Sequence, residues 1–180
     1  MRNFVYIATS LDGFIATNNG GIDWLMEIPN PQKSDYGYAD FISQIDALVM
    51  GRKTFEKVLS FGGEWPYDKP VFVLSETLSE IPEIVMGRVE FINGTIKDIL
   101  KQLNEKGYNN LYIDGGKTIQ SFLKEDLIDE LIITTVPILL GDGYPLFSKL
   151  SESLKFIHKK TDIYDNGLVK NHYSRNRIEK

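Results

Sequence analysis

The chain has no cysteine. That excludes a disulfide framework, thiolate catalysis and zinc–thiolate sites. Histidine is nearly as scarce. His158 and His172 both fall in the C-terminal segment, with no third ligand candidate at metal spacing. A histidine metal site and a His-dependent hydrolase triad therefore have little to build on. There is no Gly-x-Ser-x-Gly elbow, and no metal is expected. Apolar runs stop well short of the roughly 20 residues that cross a bilayer. Met1-Arg2-Asn3-Phe4 enters a strand pattern without a signal-peptide layout, so the cytoplasm is the expected location, with no membrane partner. Positive charge is also in deficit. With 25 acidic and 20 basic residues the net charge is −5, which argues against a nucleic-acid-coating protein. What is present is an ordinary hydrophobic share, 42% of 180 residues, without repeats, low-complexity tracts or linkers. One domain spanning residues 1–180 is expected, long enough to bury a real core.

The stretch around which the chain is organised is Leu48-Val49-Met50-Gly51-Arg52-Lys53-Thr54-Phe55. An apolar run ends at a glycine, a basic pair and a threonine follow, and helical spacing begins at Phe55, Val58 and Leu59. The order reads as strand, tight turn, helix N-terminus. Such a terminus offers unpaired N–H groups and the positive end of a dipole to an anion. The plainer reading is an ordinary turn with surface basic residues. A second junction of the same kind is Leu111-Tyr112-Ile113-Asp114 followed by Gly115-Gly116-Lys117 and a helix from Thr118 to Leu123. Adjacent glycines permit close backbone approach to a phosphate.

Other segments frame these two. Phe4 to Ala8 reads as a central strand buried on both faces. Asp12-Gly13 is a turn signal, and Asn18-Asn19-Gly20-Gly21 continues a long excursion of the kind that often lines a site. Pro29 and Pro31 interrupt regular structure. Ser34 is placed to cap a helix whose apolar face carries Tyr38, Phe41, Ile42 and Ile45. On that helix Asp35 falls at the edge of the apolar face and Asp40 on the water side. Asp35 has a plainer role as a first-turn acid favouring the helix dipole. Strands are expected at Ala47–Met50, Val71–Leu74, Val89–Ile92, Leu111–Asp114 and Leu131–Val136. Ser75 either meets a ligand at a strand's carboxyl end or forms a turn. Trp65 either covers a ligand or plugs a core edge. Thr95 caps a scaffold helix with Ile96, Ile99, Leu100 and Leu103 buried, ended by Gly107. Alternation through 154–158 and 169–173 suggests a closing antiparallel pair.

Taken in order, Ser10-Leu11-Asp12-Gly13-Phe14-Ile15-Ala16, Met50 to Phe55, Val73-Leu74-Ser75, Ile113-Asp114-Gly115-Gly116 and Pro137 to Gly143 with Pro145-Leu146-Phe147 resemble the dihydrofolate reductase superfamily. They are most similar to the branch holding the reductase domain of riboflavin biosynthesis and its stand-alone bacterial relatives. The resemblance runs over nearly the whole chain, and the Gly-Arg-Lys-Thr block is its most specific piece. It implies a three-layer α/β/α sandwich with a mostly parallel central sheet and an antiparallel C-terminal hairpin. It implies NADPH across the strand ends. Gly51, Arg52, Lys53 and Thr54 would hold phosphates. Leu74 and Ser75 would lie by the adenosine, Gly115 and Gly116 under the pyrophosphate, and Ala8 and Ile15 toward the nicotinamide. Asp12 would help hold a ribose- or ribityl-bearing substrate, with Trp24, Asp35 and Tyr38 as further substrate-side candidates. A homodimer is implied as well.

The implied reaction is hydride delivery from NADPH to a C=N or C=O carbon of a small heterocycle. A ribosylaminopyrimidine is one candidate substrate, as for a 5-amino-6-(5-phosphoribosylamino)uracil reductase. A proton must also arrive. Asp35, or a water it orients, is the first candidate and Asp12 the second; a carboxylate can serve there if burial raises its pKa. The alternatives are a true dihydrofolate reductase, and a non-catalytic nucleotide-binding protein that kept the fold.

Overall fold

Alternation along the strands sorts the core into two layers. On β3 (Ala47–Gly51), Ala47 and Val49 face one layer, and Leu48 and Met50 face the other. The same division runs through Val5 against Phe4 on β1 (Arg2–Thr9), and through Leu111 and Ile113 against Tyr112 on β6 (Asn110–Asp114). Side chains of a strand point alternately to opposite faces, so a sheet apolar on both must be covered on both. Helices α4 (Ile96–Glu105) and α5 (Gly116–Lys124) cover one face through Ile99, Leu103, Ile119 and Phe122. Helices α2 (Tyr38–Ser43) and α3 (Arg52–Ser60) cover the other through Phe41 and Phe55. The expected three-layer α/β/α sandwich is the fold of this computed structural model, which describes residues 1–177. Residues 178–180 of the expected domain lie outside the described residues.

The remaining strands are β2 (Phe14–Ala16), β4 (Val71–Leu74), β5 (Val89–Ile92), β7 (Glu130–Thr135), β8 (Tyr144–Pro145), β9 (Phe156–Ile163) and β10 (Val169–Arg175). A one-turn helix, α1 (Asp23–Met26), follows β2. The main sheet has the order β5-β4-β3-β6-β1-β7-β10-β9. Its strands are parallel from β5 to β7, and β10 and β9 join antiparallel. The C-terminal hairpin thus forms as expected. The carboxyl ends of β1, β3, β4, β6 and β7 open at one rim, where an open α/β sheet binds ligands.

Two local features differ from the sequence reading. The helix expected from Ser34 begins only at Tyr38, and its boundary residue Gly37 is left-handed (φ 85°). Asp35, not Ser34, holds that start: its carboxylate accepts the N–H groups of Gly37 and Ala39, each at 2.9 Å. The excursion after β1 is also more ordered than a polar loop. Its β2 pairs with β8 in a two-stranded sheet of their own.

Candidate active site

Two strand-to-helix junctions stand side by side at the rim, because Met50 of β3 pairs with Asp114 of β6. Gly51 precedes α3 and Gly115 precedes α5. No side chain caps either helix. Each helix is nine residues long, so its dipole is developed, and its first N–H groups lack intrahelical partners. The two junctions interlock through their threonines. A Cβ at Gly51 would meet Thr118 Oγ1 at 2.9 Å, and a Cβ at Gly115 would collide with the Thr54 hydroxyl. Gly115 also has φ 89°, a conformation that side chains disfavour. A Cβ at Gly116 would press on Ile15 Cδ1 at 2.7 Å, so the loop after β1 reaches the second junction. The structure therefore brings together Gly51, Thr54, Gly115, Gly116 and Ile15. Arg52 and Lys53 add exposed positive charge on the first turn. Arg52 lies 3.4 Å from Glu56, with both side chains about half exposed, a pair of little energetic weight. Lys53 Nζ lies 5.8 Å from the centre of the Tyr144 ring. Gly51 pairs with Leu74 of β4, which puts Leu74 and Ser75 beside the first junction. The Ser75 hydroxyl accepts the N–H groups of Thr77 and Leu78 and so forms a turn. The two uncapped helix starts, side by side at the rim, fit the phosphates of a nucleotide, and the glycines let Thr54, Thr118 and Ile15 pack close against their backbone.

The expected carboxylates behave differently. Asp12 accepts hydrogen bonds from Ser10 Oγ at 2.5 Å, Gly141 N at 2.7 Å and Leu140 N at 3.2 Å. It ties the loop after β1 to the loop after β7. Those bonds, the Ser10 one foremost, hold its pKa below the ordinary value. Asp35 is exposed, and its pKa is likewise lowered, first by the Ala39 and Gly37 N–H bonds. At both carboxyls the hydrogen bonds outweigh the raising effect of desolvation, so each is held in its ionised form near neutral pH. Asp40 faces water, as expected.

A third carboxylate is shifted the other way. Asp114 ends β6 immediately before Gly115. Solvent reaches part of the residue, but its carboxyl is desolvated, and that loss of hydration pushes its pKa up to about 6. The single hydrogen bond that opposes the shift comes from Gly115 N at 2.7 Å. Its charge is felt at the hydroxyls of Tyr38, Tyr67 and Tyr112. Desolvation raises their pKa values, and the Asp114 charge raises them further. The sequence did carry a signal: a lone carboxylate closes a buried apolar strand at the ligand-binding end of the sheet.

Of the other substrate-side candidates, Tyr38 lies at the head of α2 and packs edge-on against Tyr6, with ring centres 5.7 Å apart. Trp24 is buried on Ala8, Val136 and Leu168, and its indole N–H has no partner among the described residues. Trp65 is a core plug: it is buried and lies edge-on to Phe55 at 5.8 Å. Among the described residues no cluster of acidic and histidine side chains could hold a metal ion, and no helix is long and apolar enough to cross a membrane.

Residues 4–170 match the family of the RibD C-terminal domain. YwjB of Bacillus subtilis (strain 168) is 37% identical over 176 residues, covering 97% of this chain and 98% of that protein. A protein of Shewanella sp. PV-4 whose crystal structure is solved is 52% identical. It superposes with a TM-score of 0.95 over 98% of this chain and 100% of its own. The Thermotoga maritima diaminohydroxyphosphoribosylaminopyrimidine deaminase/5-amino-6-(5-phosphoribosylamino)uracil reductase shares the fold. It is 17% identical, with a TM-score of 0.76, over 97% of this chain and 56% of the longer one.

Proposed function

The chain belongs to the RibD C-terminal domain family, and on that premise we propose that it is an NADPH-dependent reductase of a small heterocyclic compound. The observation that carries the proposal is the pair of uncapped, glycine-edged helix starts, α3 and α5, interlocked at the carboxyl rim of the sheet. Gly51, Arg52, Lys53 and Thr54 bind one set of phosphate oxygens. Gly115 and Gly116 let the backbone approach the pyrophosphate. Leu74 and Ser75 flank the adenosine, and Ala8 and Ile15 border the nicotinamide. When bound, the cofactor supplies the hydride. The protein supplies alignment and exclusion of water.

Asp114 is the proposed proton donor. A carboxyl with a pKa of about 6 keeps a usable protonated fraction near neutral pH, which general acid catalysis requires. Tyr38 and Trp24 border the ring to be reduced. Asp12 and Asp35 act beside them as ionised groups that fix the loops. The proposal takes residues 1–180 as one domain. It assigns a homodimer contact to the exposed β9 edge, where Ile157 and Ile163 stand 48% and 79% exposed. Sedimentation velocity at micromolar concentration reads that contact, and a monomer would remove it.

Calorimetric titration with NADPH, with NADH alongside, tests the reading. Binding of NADPH that weakens about tenfold in Arg52→Ala supports it. No NADPH binding to the wild type would leave a shared fold with a different job.

A further inference from the structure

Left-handed residues crowd the segment that leads into α2: Lys33 (φ 51°), Tyr36 (φ 55°) and Gly37 (φ 85°). Glycine adopts that conformation freely. A tyrosine there is strained and persists only where its surroundings over-determine it. Tyr36 is gripped at both ends. Its carbonyl accepts Lys170 Nζ at 2.6 Å, Tyr6 OH at 2.9 Å and Tyr164 OH at 3.1 Å. Its own hydroxyl accepts Asn166 Nδ2 at 2.8 Å, and its ring lies edge-on to Tyr164, with centres 5.0 Å apart. A carbonyl oxygen has two lone pairs, so three donors exceed what satisfying it requires. Lys170 is the unusual donor. Its side chain is only 13% exposed, and its ion-pair partner Asp162 stands off at 3.4 Å, although burying an ammonium is costly. Gly37 leaves room for it: a Cβ there would stand 3.0 Å from Nζ.

Strand register ties this node to Asp114. Phe4 of β1 pairs with Tyr112 of β6, and both point into the layer under α2 and α3. Two residues further along each parallel strand, Tyr6 and Asp114 share that face and stand side by side. Across its other edge Asp114 pairs with Met50. Ala8 pairs with Thr134, and Thr134 with Lys170, so Lys170 lies on the same face. It is three strand spacings from Asp114, about 14 Å. Tyr6 joins the two places. Its hydroxyl belongs to the Tyr36 node. Its ring stacks on Phe41 of α2 at 4.7 Å and lies edge-on to Tyr38 at 5.7 Å.

We infer that Lys170 is a positioning residue of the candidate active site: through the Tyr36 carbonyl it fixes the strained Tyr36–Gly37 step and the Tyr6 ring, and so the wall that keeps water from Asp114. Without the ammonium, two neutral donors hold a strained step. The step relaxes, Tyr6 loosens, and the carboxyl beside it regains hydration. The functional meaning of that wall rests on the reductase reading, in which Asp114 is the acid; the geometry of the node does not.

The test is a ¹³C NMR titration of the aspartate carboxyl signals in the cofactor-free protein, with the tyrosine ring signals followed alongside. In Lys170→Met, which keeps an apolar stem, Asp114 is expected to titrate about one pH unit lower than in the wild type, because water returns to the carboxyl. The Tyr6 and Tyr38 ring signals should move with it. Direct loss of a cation has the opposite sign, since it raises a carboxyl pKa, and at about 14 Å it is largely screened. A downward shift therefore reports position rather than charge. Tyr164→Phe removes one neutral donor to the same carbonyl and should move Asp114 the same way by less. Lys160→Met removes an ammonium that pairs with Asp162 at 2.7 Å and should leave Asp114 where it is. An unchanged or raised Asp114 titration in Lys170→Met overturns the inference. So does a downward shift that Lys160→Met reproduces in full. If Lys170→Met does not fold, Tyr164→Phe decides, and no downward shift there overturns it as well. Failure of NADPH to bind is a separate result: it removes the reductase reading, while the cofactor-free titration still reports the hold of the node on Asp114.

Discussion

Asp114 and Gly115 are adjacent in sequence, yet their surroundings treat charge in opposite ways. From Gly115 onward the backbone is shaped for an anion: an uncapped helix start, a left-handed glycine and the neighbouring start of α3 all meet there. At Asp114 the surroundings disfavour an anion, since desolvation pushes the carboxyl toward its neutral form. In the proposed reductase the β6 rim would separate a phosphate side from a ring side. A bound pyrophosphate would place further negative charge near Asp114 and reinforce the neutral carboxyl. In this account the site binds its cofactor and primes its acid with one strand end.

Removing the acid should have the largest effect. Asp114→Asn is expected to lower turnover by about a hundredfold or more, in line with loss of a positioned general acid. In the wild type, kcat should fall as pH rises through the pKa of about 6. Saturating NADPH should move that fall to higher pH, and the variant should not show it. Stopped-flow NADPH absorbance across pH 5–9 reads all three.

The same substitution should act on stability with the opposite sign. The native pKa is raised above the ordinary carboxyl value of 3.8, so the unfolded state releases this proton first. Native stability is unpenalised below about pH 4, declines between about pH 4 and 6, and carries the full cost above pH 6. Asp114→Asn should therefore stabilise the protein at pH 8, by on the order of 3 kcal/mol, and have no such effect at pH 4. Urea denaturation at both values checks it.

On the phosphate side, Gly115→Ala is expected to weaken NADPH binding more than Arg52→Ala does. The alanine methyl would sit against Thr54 in a backbone conformation that suits glycine, whereas Arg52 offers an exposed charge that solvent screens. Calorimetry on the two variants orders them. Asp35→Ala should cost about 1 kcal/mol of stability through the loss of the α2 cap and leave the pH limb of turnover in place. A shifted limb would return the proton to Asp35. Glu56→Gln should change NADPH affinity least, by less than about twofold, because its pair with Arg52 is exposed.

Much of this division can be read from the sequence, for local reasons. A strand that ends in Gly-Arg-Lys-Thr and restarts with helical spacing encodes its own turn, and so does Ile113-Asp114-Gly115-Gly116. The strand and helix contents of both core layers follow from short-range periodicity in the same way. Three features depended on tertiary packing. The start of α2 moved from Ser34 to Gly37 because Asp35 is the group that accepts the first N–H groups. Asp12 is held by Leu140 and Gly141, partners far along the chain that no window of sequence shows. Asp114 differs from any other strand-terminal acid through desolvation, and its charge is felt at Tyr38, Tyr67 and Tyr112, which arrive from separate segments. Charge and hydrogen-bonding type were legible, but the protonation state was set by the fold.

The most direct measurement is an ¹⁵N-resolved NMR titration of the protein with NADPH. The account predicts the largest amide shifts at Lys53, Thr54, Gly116 and Lys117, with Ile42, Ser43 and Lys69 nearly still. Shifts concentrated at those last three, or none at the two helix starts, would contradict it.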